Sequence, residues 1–493
     1  MELEQFPKEI RPYVLPKHKG DQIYQCLACG NEYEIKELLY TCPSCGQVFL
    51  IYDRDFDQLK QIDGAVWRKI FDYRKMLSIP ALKGIYLYHE FIGPTVPLDA
   101  VVYLGEAHTP MIEANRFLQE KLGVRFFVKN DGQNPSASFK DRGMASALSY
   151  INYLIKSGTV SDILAVCAST GDTSAAAALY ASYLQPHVKS AVLLPHKKVT
   201  PQQLSQPLGS GARVFEIPGV FDDCMKVVEA LSERYNVALL NSKNAWRILG
   251  QETYSYEIAQ DFEYDMDNKA IVLPIGNAGN ITAVMSGFIK FYETGIIKVL
   301  PKIIGVQSQH ANPVFRYYAD ALECRQFVPV TVKPSVAQAA MIGNPVSMPR
   351  VIHLAELYNR LSGRQNVFVV EVTEQAIMEW ELTANRNGHI TCTQGGESLA
   401  GLAAAQKLGI IDNNEIAIID STAHALKFSG FQEMYFARQF PSEFGISYKS
   451  DLINIPVLIE TDKQDDSLQH FIDTSARAIA VALNLKTKEL SKE

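Results

Sequence analysis

The sequence predicts an α/β protein: two parallel-sheet domains facing each other across a cleft, with a small cysteine-bearing module in front of them. Three observations carry this. Beyond Lys140, short apolar runs at 163–167, 190–194, 213–217 and 237–240 alternate with helical stretches, the pattern of parallel strands joined by right-handed crossovers. A second alternating series covers 271–428, with strands near 303–306, 367–370 and 415–419. Ahead of both series lie two C-x2-C-G knuckles, Cys26 with Cys29 and Cys42 with Cys45.

Composition sets the frame. A chain of 493 residues that is 47% hydrophobic can bury a large core in more than one domain. A net charge of −7 offers no basic field to nucleic acid, which points to a small-molecule partner. No apolar run reaches the roughly 18 to 20 residues that span a bilayer, and residues 1–20 lack a signal-peptide pattern, so the expectation is a soluble cytoplasmic protein without a membrane partner. Four of the 8 cysteines, Cys167, Cys224, Cys324 and Cys392, are scattered and suit reduced, buried thiols better than a disulfide framework.

Taken in order, the first element is a ribbon. Cys26, Cys29, Cys42 and Cys45 form two knuckles twelve residues apart, whose glycines let backbone amides face the thiolates. Four soft ligands suit a tetrahedral structural zinc, a site with no open position for catalysis. The competing readings are a ribbon that keeps its cysteines without metal, or a redox pair. A ribbon this small lacks a core of its own and is expected to be disordered without metal. From 52 to about 88 the pattern is helical; Trp67 and Arg68 could meet a partner or effector there, although an aromatic at helical spacing is more often core. Residues 101–110 read as strand and turn, and 125–129 as the strand that delivers the next loop.

That loop, 134–143, ends in Ser138, Phe139, Lys140, Asp141, Arg142 and Gly143 and opens a largely apolar run. A lysine at a loop-to-helix junction is desolvated and faces a helix start. Both disfavour the ammonium, and a neutral amine can form a Schiff base with a carbonyl cofactor. An ordinary exposed lysine is the competing reading until two further stretches are considered. Residues 166–177 read as strand, hydroxyl-rich turn and helix, a place to hold a carboxylate. Residues 271–283 repeat the plan with a glycine-rich turn on which backbone amides can close on a phosphate. Residues 442–493 form a further unit ending in a helix-like stretch and a charged tail.

The runs SFKDRG at 138–143, ASTGDTSAA at 168–176, GNAGN at 276–280 and STAHALKF at 421–428 resemble pyridoxal-phosphate enzymes of the tryptophan-synthase-β fold type. Within that group the chain is most similar to threonine synthases, particularly the longer plant form, through 241–251, 64–68 and 342–347 as well. The resemblance covers about 63–428, with the cofactor in the cleft between the domains. It implies a ribbon at 1–51, a helical segment at 52–91, a large cofactor-binding domain from 92–140 with 271–440, a small domain at 141–270 and an extension at 441–493.

The resemblance also implies roles. Lys140 carries the cofactor and shuttles protons, and the backbone of Gly276, Asn277, Ala278, Gly279 and Asn280 holds the cofactor phosphate. Thr422 meets the pyridine nitrogen, with Ser421 as competitor; a neutral hydroxyl there weakens the ring as an electron sink and disfavours transamination. Ser169, Thr170 and Thr173 hold the substrate carboxylate. Asp172 stands where many relatives of this fold type carry asparagine beside the cofactor's 3-hydroxyl, and its charge would repel a phenolate. Asn241, Ser242 and Arg247 match the positions that bind the substrate's phosphate, with Lys129 and Arg142 as weaker candidates. The implied substrate is O-phospho-L-homoserine and the implied assembly a homodimer. A cysteate synthase acting on O-phosphoserine, or a non-catalytic binding protein of the same fold, would use many of the same residues.

Overall fold

The computed structural model describes every residue except 1, 2, 162, 170, 197–200, 220, 461–466 and 487–493. Among the described residues, thirteen strands are distributed over three sheets. β1 (Gln22–Cys26), β2 (Glu32–Glu34) and β3 (Phe49–Asp53) make an antiparallel ribbon in the order β2-β1-β3. β4 (Met111–Glu113), β5 (Arg125–Asn130) and four later strands make the largest sheet. Between them in sequence, β6 (Ile163–Ala168), β7 (Val188–Pro195), β8 (Arg213–Ile217) and β9 (Val237–Leu239) form a four-stranded parallel sheet ordered β8-β7-β6-β9. β10 (Lys269–Pro274), β11 (Lys302–Ser308), β12 (Val367–Val372) and β13 (Ile416–Ser421) complete the six-stranded sheet β12-β11-β10-β13-β5-β4. All its pairings are parallel except the edge pair of β4 with β5.

The central strands of the large sheet carry apolar residues on both faces because helices cover both. Ile271, Leu273, Ile303 and Ile418 point into one core, and Ala270, Val272, Ile304 and Ile419 into the other. Three departures from the sequence reading have physical causes. The apolar stretch from Val101 is not a strand; its Val102 amide donates to Ser149 Oγ (2.8 Å), so it packs on the helix Lys140–Lys156 and the edge strand forms later, at β4. The segment after Tyr52 is α-helical at Gly64–Arg74 and for one turn at His89–Ile92, with short 3-10 turns elsewhere, as Pro80 and Gly84 break the periodic pattern. Trp67 within it is core: 1% exposed, its Nε1–H donating to Leu59 O and its ring stacked on Phe71. The third departure is Cys324, which is exposed; the other three scattered cysteines are buried and all eight are free.

The ribbon does not stand alone. Tyr24, Cys26, Phe49, Leu50 and Ile51 belong to the same apolar cluster as the helices behind the large sheet. Trp246 Nε1–H donates to Tyr24 Oη (3.0 Å), and the Trp246 ring stacks on Tyr150 at 4.2 Å between centroids. Tyr150 sits on the Lys140 helix, so the ribbon is packed against the two helices that bear Lys140 and Arg247. Those helices touch through glycine: a Cβ on Gly250 would lie 2.1 Å from Arg142 O, a contact no larger residue permits. The final helix, Leu468–Ala482, buries none of its side chains. Among the described residues no helix is long and apolar enough to cross a membrane.

Candidate functional site

In open parallel sheets, function gathers beyond the carboxyl ends of the strands. Five such ends here lead into the stretches singled out from sequence: β5 into the Lys140 loop, β6 into 169–172, β9 into 240–244, β10 into 276–280 and β13 into Thr422. The Lys140 loop is stitched to the end of β13. Phe139 N donates to Thr422 O (2.8 Å), and Ser138 pairs with Ala423. Lys140 is the first residue of its helix, half-buried at its surface with its amine enclosed by the cleft walls. That enclosure, followed by the Arg247 guanidinium, pulls the amine from 10.5 down to about 7, against the opposite pull of Asp172 and Asp420.

On the β6 side, Ser169 Oγ accepts from Gly171 N (3.3 Å), and Thr173 lies half-buried in the first turn of the helix Asp172–Tyr183; Thr170 falls outside the described residues. Asp172, buried at the start of that helix, meets Lys427 Nζ at 3.0 Å. Lys427 also donates to Ser136 O (2.8 Å) in the Lys140 loop. The carboxylate that looked out of place from sequence therefore has a cation beside it.

Arg247 is 3% exposed on the helix Ala245–Gln251. Its Nη1 donates to Leu240 O (3.1 Å), its Nε has no partner, and no carboxylate lies within ion-pair distance among the described residues. Burial lowers its pKa to about 10. Asn241 exchanges two hydrogen bonds with the Ala168 backbone (2.7 and 3.1 Å) and so clamps the end of β6, leaving one amide hydrogen for any ligand. Ser242 offers its carbonyl to Arg350.

Lys129 and Arg142, the weaker phosphate candidates, are committed elsewhere. Lys129 Nζ lies 3.1 Å from both Glu257 and Asp261, and Arg142 bridges Asp131 and Glu257 in a buried network beneath the Lys140 helix. Opposite charges at these distances satisfy both cations.

The glycine-rich loop leads from β10 into the helix Gly279–Glu293. A Cβ on Gly276 would come within 3.1 Å of Ala340 Cα, and Ala278 turns the chain at φ +63°. The backbone amides of Gly276, Asn277, Ala278, Gly279 and Asn280 donate to no protein acceptor among the described residues. The side chains brace the loop instead: Asn277 Oδ1 accepts from Val346 N (3.4 Å), and Asn280 Nδ2 donates to Asp420 Oδ2 (2.7 Å). At the end of β13, Ser421 Oγ donates to Thr391 Oγ1 (2.7 Å), whereas among the described residues Thr422 Oγ1 has only the Cys392 thiol, at 3.6 Å. Of the two hydroxyls, Thr422 is the one left available.

Sequence reasoning missed Asp420, Lys427, Arg350 and Cys392 as parts of this site. Asp420 is a buried acid whose Oδ1 lacks a partner and whose pKa is pushed well above the usual range, by burial first and then by Asp131. A lone acid ending an otherwise apolar strand was the one signal available.

The family model for pyridoxal-phosphate dependent enzymes matches residues 102–421, most of the chain. The chain belongs to this family. It is 34% identical over 407 residues to the threonine synthase of Methanocaldococcus jannaschii, covering 82% of this chain and 93% of that protein. It is 33% identical over 402 residues to Arabidopsis thaliana threonine synthase 2, chloroplastic, covering 81% of this chain and 75% of that protein. Relatives at that identity and coverage place it among the threonine synthases. The crystal structure of threonine synthase from Escherichia coli shares the fold, with a TM-score of 0.63 at 20% identity over 86% of this chain and 94% of that one.

The residues fit the family's cofactor. An enclosed amine of lowered pKa suits an aldehyde, five amides without protein acceptors suit a phosphate, and the Thr422 hydroxyl suits a ring nitrogen.

Proposed function

We propose that the enzyme converts O-phospho-L-homoserine and water to L-threonine and inorganic phosphate. The observation that carries this reading is Arg247, a buried guanidinium without a carboxylate partner, close enough to Lys140 to depress its amine. A dry, uncompensated cation is costly unless an anion arrives with the substrate, and guanidinium suits a phosphate ester. Ser242 and the remaining amide hydrogen of Asn241 complete that subsite. Ser169, Thr170 and Thr173 receive the substrate carboxylate.

Bound pyridoxal phosphate, held by Lys140, the amides of 276–280 and Thr422, supplies the electron sink for deprotonation next to the substrate nitrogen. Lys140 Nζ, half neutral at pH 7, takes the Cα proton and passes it to the phosphate, then takes a Cβ proton and returns it at Cγ once the phosphate has left. Water then adds its oxygen at Cβ, and Lys140 delivers the proton that water gives up to Cα. Asp172 would face the cofactor's 3-oxygen, with Lys427, 3.0 Å away, balancing its charge.

The four ribbon cysteines are read as a structural zinc site. Their ligand atoms lie within 4.8 Å of one another, with Cys26 to Cys45 at 3.4 Å and Cys29 to Cys42 at 3.6 Å. Zn–S bonds of about 2.3 Å in a tetrahedron put sulfurs roughly 3.8 Å apart, so the set fits a metal with little adjustment. The assignment of 92–140 with 271–440 to a large domain and of 141–270 to a small one, a homodimeric assembly and a cytoplasmic location belong to the same reading. A β-replacement activity on O-phosphoserine is not favoured, since the relatives described above are all threonine synthases.

Competing the two phosphoesters tests the reading. Phosphate release from O-phospho-L-homoserine should exceed that from O-phospho-L-serine by a wide margin in kcat/KM, and the reverse order would replace it with the β-replacement enzyme.

A further inference from the structure

Arg350 is a second buried guanidinium without a carboxylate partner among the described residues, and no sequence motif announced it. It is wholly buried in the first turn of the helix Met348–Ser362. Four of its N–H groups are spent on neutral acceptors: Phe49 O (2.8 Å), Ser242 O (3.1 Å), Lys243 O (3.1 Å) and Ser347 Oγ (3.0 Å). These acceptors come from three places. Phe49 lies on β3 opposite Cys26 in the ribbon register. Ser242 and Lys243 form the turn before Arg247. Ser347 donates its backbone N–H to Asn277 O (3.1 Å) in the glycine-rich loop. Arg350 is close enough to Arg247 that, after burial, the Arg247 charge disfavours the Arg350 guanidinium.

Two neighbouring, dry guanidiniums with no acid between them are an unstable arrangement by themselves. An incoming anion of charge near −2 would relieve both. Arg350 has spent four of its donors on three backbone carbonyls and the Ser347 hydroxyl, so it would act through the groups it fixes, whereas Arg247 keeps an unpartnered Nε.

We propose that Arg350 is a positioning residue for the phosphoryl subsite, tying the ribbon strand, the 242–243 turn and the glycine-rich loop into one frame that presents Arg247 to a phosphate dianion. The ribbon is thereby part of the substrate site and more than an appendage. This rests on the reading of Arg247 as the phosphate contact. Lysine at 350 would keep the charge but lose the planar fork that reaches several acceptors at once.

The test uses the cofactor-loaded full chain with Arg350→Lys and with Ser347→Ala, which removes one acceptor and leaves the guanidinium in place. Two measurements are made: calorimetric affinity for inorganic phosphate, and kcat and KM for O-phospho-L-homoserine. Arg350→Lys should weaken phosphate binding and raise KM by about tenfold or more while kcat stays within roughly threefold, because uniform binding is what is lost. Ser347→Ala should shift both in the same direction by a smaller factor. Visible absorbance of the bound cofactor should be unchanged in both variants. Wild-type phosphate affinity in both variants, or a fall in kcat with KM and phosphate affinity unchanged, would overturn the inference. Should the wild type bind phosphate yet make no threonine, the reaction reading fails and the phosphate affinities alone decide on Arg350; should it bind no phosphate, the inference is wrong.

Discussion

The most consequential number in the site is the position of the Lys140 amine. An ordinary lysine at pH 7 is neutral in only about one molecule in 2,500, given its pKa near 10.4. With the pKa lowered from 10.5 to about 7, half the Lys140 amines are neutral there, roughly a thousandfold more nucleophile. The perturbation is to strip the cofactor and follow its re-addition by stopped-flow absorbance at a series of pH values. The rate of Schiff-base formation should rise with a midpoint about pH 7. Arg247→Met should move the midpoint upward, since it removes the largest charge opposing the ammonium, but not to the ordinary value, because enclosure by the cleft is the greater cause. The same shift governs stability in the cofactor-free protein. The folded state holds the neutral amine while the unfolded state is still protonated, so between about pH 7 and 10.5 the unfolded chain binds more protons and stability rises with pH. The full span corresponds to about 5 kcal/mol, and stability from this group is flat at its lower level below pH 7. A wild-type midpoint above pH 9 in the re-addition experiment would refute the reasoning.

Other perturbations separate the remaining roles. Lys427→Met leaves the buried Asp172 carboxylate without its cation and should cost about 3 to 5 kcal/mol by denaturant unfolding, with much of that recovered in the Asp172→Asn/Lys427→Met double variant. Thr422→Ala should change the visible spectrum of the bound cofactor and lower kcat, whereas Ser421→Ala, whose hydroxyl is engaged with Thr391, should leave the spectrum alone. Tyr24→Phe strands the Trp246 indole N–H in the core and should destabilise the ribbon contact by about 1 to 3 kcal/mol. Metal analysis of protein purified without chelator should give about one zinc per chain, and Cys42→Ser should abolish it. Because β1 and β3 share the main core, metal loss should raise hydrogen exchange at the knuckles around Cys29 and Cys45 before it reaches Tyr24.

What could be read from sequence followed a physical divide. Lys140, the glycine-rich loop and the 168–176 turn each sit where a strand ends and a helix begins, a junction written within a dozen neighbouring residues. The parallel strands were legible for the same reason, as apolar runs buried on both faces. The stretch at 101–104 misled because an apolar run packed on a helix looks the same as an edge strand; only the Ser149 hydroxyl, far along the chain, distinguishes them. Arg350 was invisible for a stronger version of that reason. Its partner Phe49 lies 301 residues away, and nothing local marks an arginine that will be buried without a counter-ion. Lys129 and Arg142 stayed open between a phosphate contact and pairing with acids, because Glu257 and Asp261 arrive from a distant helix. Asp172 appeared as an anomaly until Lys427 came into view.

The account stands most directly on the reaction itself. Purified protein given O-phospho-L-homoserine, with Lys140→Ala in parallel, should release inorganic phosphate and L-threonine in equal amounts, with both products lost in the variant. Phosphate without threonine, or products that persist when Lys140 is gone, would contradict it.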